Sequence, residues 1–108
     1  MSDCVFCNII AGQIPSKKIY EDEDVFVFHD IRPHMKVHFM IIPKKHIPTL
    51  MDCQPEDRDL LGKIMLMTSQ LAKQEGLSEG YKTLVNTGKA GGQEVFHLHV
   101  HVMGGGSL

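Results

Sequence analysis

His97-Leu98-His99-Val100-His101-Val102-Met103 is the stretch from which the rest of the chain can be read. Side chains on a β-strand point alternately to its two faces, so residues two apart share a face. The three histidines then line one face, while Leu98, Val100 and Val102 enter a core on the other. A surface strand with histidine at its outward positions has the same pattern, but chance rarely sets three imidazoles at period two against an unbroken apolar register. Just upstream lies Thr87-Gly88-Lys89-Ala90-Gly91-Gly92-Gln93. Alone that stretch reads as a plain turn. Placed directly before a row of imidazoles, it reads as a loop whose backbone N–H groups, near Gly91, Gly92 and Val95, cradle phosphate oxygens.

Working outward, Val95 to Met103 and Tyr81 to Asn86 are read as the last two strands, flanking that loop. Lys18-Ile19-Tyr20 and Val25-Phe26-Val27-Phe28 read as two more, joined by the acidic turn Glu21-Asp22-Glu23-Asp24. His38 to Ile42 is a further strand, stopped by Pro43, which has no N–H for a ladder. Pro55 to Glu75 is the one long helix: Pro55 suits a first-turn position, and Glu56, Asp57 and Asp59 suit the positive end of the dipole. Leu60, Leu61, Ile64, Met65, Thr68, Leu71 and Ala72 recur at helical spacing as its buried stripe, with Met67 outside it. Val5 to Ile10 is a short N-terminal helix. The class is therefore α+β, a five-stranded antiparallel sheet with one long helix.

At 108 residues the chain is expected to be a single domain, 1–108, near the size where dimerisation helps to bury surface. Its 43% hydrophobic and 22% charged content is that of an ordinary globular protein. A net charge of −2 offers no general attraction to nucleic acid, so a nucleotide has to be held by local donors. No apolar run approaches a membrane span, and the N-terminus has no basic-then-apolar secretory pattern. Three cysteines are an odd number for a disulfide framework. The expected location is cytoplasmic, with nuclear entry open if the source is eukaryotic.

The run His97 to Met103 matches a His-x-His-x-His-x-x motif with every x apolar, and through it the chain resembles the histidine triad family. Phe6-Cys7-Asn8-Ile9-Ile10, Phe28-His29-Asp30-Ile31, His38 through His46 and Asn86 through His101 fall in the order and at the spacings of its Hint branch, the small purine-nucleoside phosphoramidases. The resemblance implies a sheet continued across a homodimer. It also implies purine nucleotide substrates cleaved through a covalent nucleotidyl-histidine, with His99 attacking the α-phosphorus and His101 hydrogen-bonding in the phosphate site. Asp30 is matched to the residue that holds the ribose hydroxyls, which suits a carboxylate acceptor. Val5, Phe6, Ile9, Ile14, Phe28 and Ile31 are matched to the apolar positions around the base, while His29, just before Asp30, is open to two readings, a place near the ribose or a turn-packing role. Gly92, Glu94 and Val95 fall on the phosphate side. Asn86 stands where the Hint branch has Asn and the Fhit branch has Gln, which points to phosphoramidates. Glu94 departs from the pattern, since the best-known Hint members carry serine there.

Cys4-x-x-Cys7 is open to three readings taken alone: a redox pair, two free thiols, or half of a metal site. In a subset of the family the pair binds zinc with two histidines, and those positions match His46 and His97. On that implication zinc is structural, and His97 leaves the chemistry to His99 and His101. Three other readings stay open: hydrolysis of dinucleoside polyphosphates, a nucleotide-binding scaffold with little turnover, and a transition-metal carrier. The last leaves Asp30, Asn86 and the glycine loop unexplained.

Overall fold

A computed structural model describes residues 2–108. Two largely apolar runs become the strands β2 (Val25–His29) and β3 (Val37–Pro43). With β1 (Lys18–Glu21), β4 (Lys82–Leu84) and β5 (Val100–Gly104) they form one antiparallel sheet in the order β1-β2-β3-β5-β4. Helix α1 (Val5–Ile10) and helix α2 (Arg58–Gln74) complete the fold. A strand with one wet face alternates apolar and polar residues. β2 and β3 do not alternate because both of their faces are covered.

One face lies under α2, where Val25, Val27, Phe39, Ile41, Val100 and Val102 pack with Ile64, Leu71 and Ala72. The opposite face carries Phe26, Phe28, Met40 and Ile42, closed by Phe6 and Ile9 of α1. Register decides which face the histidines join. Met40 stands opposite both Phe28 and His101, so His101 belongs to the α1 face, while Ile41 opposite Val100 belongs to the α2 face.

The expected elements are all present, with three corrections. The last strand starts at Val100 rather than Val95, and its neighbour spans Lys82–Leu84 rather than Tyr81 to Asn86. Before Val100 the polar groups bond elsewhere: Leu98 N–H donates to the Ile47 carbonyl at 2.6 Å, outside any ladder. The backbone there still places alternate side chains apart, so the period-two signal survives without the sheet. In α2, Met65 is exposed while Met67 packs on the core with Leu60. Ile64, Thr68, Leu71 and Ala72 define the buried line, and Met67 lies one turn from Ile64 and from Leu71 along it. The helix is entered as expected through Pro55, in a 3-10 turn at Pro55–Asp57. No helix among the described residues is long and apolar enough to cross a membrane.

Candidate functional site

The site is built where β3, β5 and the segment before β5 meet α1. His97 and His99 are almost fully buried and His101 is partly exposed. Each ring is oriented by a different acceptor or donor, and the bonds determine where each proton sits. His97 Nε2–H donates to the Pro43 carbonyl at 2.7 Å, leaving its Nδ1 as a lone pair. His99 Nδ1–H donates to the His97 carbonyl at 2.8 Å, leaving its Nε2 as a lone pair. His101 Nδ1 lies 2.9 Å from Nε2 of His38. The rings of His99 and His101 sit 4.9 Å apart, close to perpendicular. Burial pushes all three below the ordinary imidazole pKa, His101 to about 4, because a charged ring loses hydration there. All three rings are therefore neutral at pH 7.

Phe6 holds His99 edge-on at 5.1 Å and packs on Phe28 at 5.5 Å. Phe6, Ile9 and Phe28 are each buried, so they form a floor beneath the imidazoles. Ile31 is 87% exposed, with its side chain open to solvent. Asp30 lies between: its Oδ1 accepts Arg32 N–H at 2.8 Å, and its Oδ2 lies 3.4 Å from His38 Nε2. Asp30, Ile31 and His38 line a cleft of about 640 Å³ that Lys17 and Lys36 also border. His29 touches this cleft, but its imidazole pairs with Glu75 at 3.5 Å, at the end of α2. Strand alternation turns the ring away from Phe28, and its pairing with Glu75 matches a turn-packing role, while the residue still borders the cleft.

The glycine loop differs from expectation in its donors. Gly91 N–H bonds to the Gly88 carbonyl at 3.1 Å and Gly92 N–H to the Lys89 carbonyl at 3.0 Å. These N–H groups close the loop on itself and are not free for a phosphate. Gly92 contributes conformation instead: its φ of 83° is left-handed, a region that L side chains rarely occupy. Asn86 Nδ2 donates to the Gly91 carbonyl at 2.9 Å and braces the same turn. Val95 is half-buried against the Phe6 cluster. Glu94 is exposed.

Gln93 escaped the sequence reading and organises the loop. It is 5% exposed; its Oε1 accepts Gly88 N–H at 2.9 Å, and its Nε2 donates to the carbonyls of Pro48 and Val95 at 2.7 and 2.9 Å. A polar residue beside three glycines resembles any loop residue, so only its burial shows the role.

Cys4, Cys7, His46 and His97 converge, with their four ligand atoms within 4.8 Å of one another. Cys4 Sγ lies 3.4 Å from His97 Nδ1, Cys7 Sγ lies 3.4 Å from His46 Nδ1, and the two Nδ1 atoms are 3.1 Å apart. A tetrahedral zinc with bonds of about 2.0–2.3 Å has ligand edges of roughly 3.3–3.8 Å. The donor set, the spacing and the lone pair on His97 Nδ1 fit that ion. Cys4 also caps α1, its Sγ accepting Cys7 N–H at 3.3 Å.

Asp30, His38 and His101 form a second compact group. Here the hydrogen bonds oppose a metal, because His38 Nδ1 accepts His34 N–H at 3.0 Å. A cation on Nε2 would then need the ring to lose its only proton.

A family model described as the HIT domain matches residues 11–108. The chain is 51% identical over 104 residues to Protein HitA of Neisseria gonorrhoeae, covering 96% of this chain and 97% of that one. It superposes with TM-score 0.92 and 44% identity on a HIT family hydrolase from Legionella pneumophila Philadelphia 1, over 95% of this chain and 93% of that one. A histidine triad nucleotide-binding protein from Candida albicans aligns at TM-score 0.84 and 36% identity, over 93% and 73%. A zinc-bound histidine triad family protein from Mycobacterium smegmatis aligns at TM-score 0.81 and 39% identity, over 94% and 72%.

Proposed function

The chain belongs to the histidine triad family, and from that premise we propose that it is a hydrolase cleaving the P–N bond of purine nucleoside 5′-phosphoramidates. The observation that carries the reading is the 2.8 Å bond from His99 Nδ1–H to the His97 carbonyl, which leaves Nε2 as the nucleophile. In the first step the Nε2 lone pair forms a bond to the α-phosphorus. The P–N bond breaks, and the departing nitrogen keeps the electron pair and takes up a proton from solvent, leaving as the amine. In the second step water attacks phosphorus and gives up a proton to solvent, the N–P bond breaks with its electron pair returning to His99 Nε2, and the nucleoside monophosphate leaves. Burial supports both steps by keeping His99 neutral and nucleophilic at pH 7. His101 donates to phosphate oxygen or the departing nitrogen, and Val95 N–H adds a main-chain donor. Asp30 Oδ2 accepts from the ribose hydroxyls at the cleft, above the apolar floor of Phe6, Ile9 and Phe28. The Legionella relative is a hydrolase and the Candida relative a nucleotide-binding protein, which supports this class. Asn86 favours phosphoramidates over dinucleoside polyphosphates, by the resemblance to the Hint branch.

Cys4, Cys7, His46 and His97 hold a structural zinc in this reading, supported by their geometry and by the zinc-bound relative. That ion ties α1 to the segment carrying His97 and touches no reacting atom. A second copy continues the sheet beyond β4, an edge strand with all three residues exposed. Residues 1–108 act as one domain, and a cytoplasmic setting suits a chain whose Cys4 and Cys7 are metal ligands and whose Cys53 is a free thiol.

The test is turnover of a fluorogenic tryptamine phosphoramidate of AMP by the wild type and by His99→Ala. The substitution is expected to lower kcat/KM on the order of a thousandfold or more while nucleotide binding persists. Near-normal turnover by a preparation free of wild-type enzyme contradicts the mechanism. Faster cleavage of diadenosine polyphosphates contradicts the substrate class.

A further inference from the structure

His38 stands outside the run of three histidines. Its side chain is only 1% exposed, yet both ring nitrogens are bonded. Nδ1 lies 3.0 Å from the main-chain nitrogen of His34. A main-chain N–H can only donate, so Nδ1 must be the lone pair and the neutral ring carries its proton on Nε2. That Nε2 faces His101 Nδ1 at 2.9 Å and Asp30 Oδ2 at 3.4 Å, so the shorter, stronger bond goes to His101. His101 Nδ1 must then accept, which puts the remaining proton of His101 on Nε2. A peptide N–H in the loop before β3 thus dictates, through one buried ring, which face of His101 can donate.

We propose that His38 is a positioning residue, holding His101 in the Nε2–H tautomer so that it meets the substrate as a donor. The proposal rests on the hydrolase reading for its kinetic consequence but not for the tautomer. His38 cannot pass a proton onward, because its Nδ1 has no proton and faces a donor that does not release one. Its action is orientation alone. The buried ring sits on β3 at a position paired with Met103, and the rings of His38 and His101 lie 5.1 Å apart, so neither can turn without disturbing the other. Should the Nε2–H of His38 be lost, His101 is free to protonate Nδ1 and present a lone pair to the phosphate, where it repels oxygen.

Long-range 1H–15N NMR on the unliganded wild type reads the tautomer directly. His101 is expected to be protonated on Nε2 and bare on Nδ1, and His38 likewise. Two variants read the consequence. His38→Leu removes the donor, and His38→Gln keeps an N–H at the position of Nε2. His38→Leu is expected to shift His101 towards protonated Nδ1 and to lower kcat on the order of tenfold or more, with KM changed far less. His38→Gln is expected to restore most of kcat and the Nε2–H tautomer. Protonated Nδ1 on wild-type His101 overturns the proposal, as does a folded His38→Leu enzyme with kcat within about twofold of wild type. So does a His38→Gln enzyme as slow as His38→Leu at equal thermal stability. The tautomer is measured without substrate, so it stands or falls separately from the His99 test.

Discussion

Charged imidazoles crowded together repel, and a phosphate site that relied on them would titrate with every change near pH 6. Here burial lowers the pKa of His97, His99, His101 and His38, and each ring is neutral with its proton assigned by a neighbour. The chemistry is therefore set by tautomers: lone pair on His99 Nε2, proton on His101 Nε2. Glu94 bears on the same question of charge. Facing a phosphate, its carboxylate would oppose the charge that the transition state must stabilise. It is exposed, while its neighbour Gln93 turns inward to brace the loop. Glu94→Ser is accordingly expected to change kcat/KM for a phosphoramidate by less than about threefold, at low and at moderate ionic strength. A rise that is largest at low salt would mean that the carboxylate turns towards the phosphate. A clear fall in kcat would give it a catalytic part.

Among the elements, α1 depends most on things outside itself. With six residues it is too short to be stable alone, so its position must come from packing and ligation. Phe6 and Ile9 supply the packing, and Cys4 and Cys7 at its N-terminus supply half of the proposed zinc site. Metal analysis is expected to find about one zinc per chain. Removing zinc by chelation, or Cys7→Ser, is expected to lower Tm by several degrees while leaving residual turnover. Metal-free protein from a chelator-free preparation, as stable as after zinc addition, would contradict this. The element scale also shows what the residues revealed in advance. Period two at His97–Met103, the apolar runs of β2 and β3 and the stripe of α2 are periodic signals, and they located the sheet, the helix and the histidine face. The loop donors were not periodic. Gly91 and Gly92 bond within their own turn, Gln93 is buried, and the His29 ring points to Glu75, all results of tertiary contacts that local spacing does not encode. Cys4 and His97 are ninety-three positions apart, and no pattern short of a family resemblance joins them.

On the scale of the whole molecule, β4 leaves an unpaired edge, and α2 exposes Leu66 at 81% and Met65 at 49%. Exposed strand edges invite pairing, and exposed apolar side chains favour association. The proposed dimer would cover the β4 edge and the exposed α2 face. Leu66→Glu is expected to shift the protein to monomer in sedimentation velocity without unfolding it, and unchanged dimer would place the interface elsewhere. The proposed dimer and zinc would serve one end, which is to hold His99 rigidly in front of phosphorus. The most direct test of that claim is a rapid acid or denaturant quench of the wild type with a purine nucleoside phosphoramidate, followed by mass mapping of the attached nucleotide. A nucleoside monophosphate bound through a P–N bond to His99, absent in His99→Ala, is the result expected here. Full turnover with no adduct, or an adduct on another residue, would contradict it.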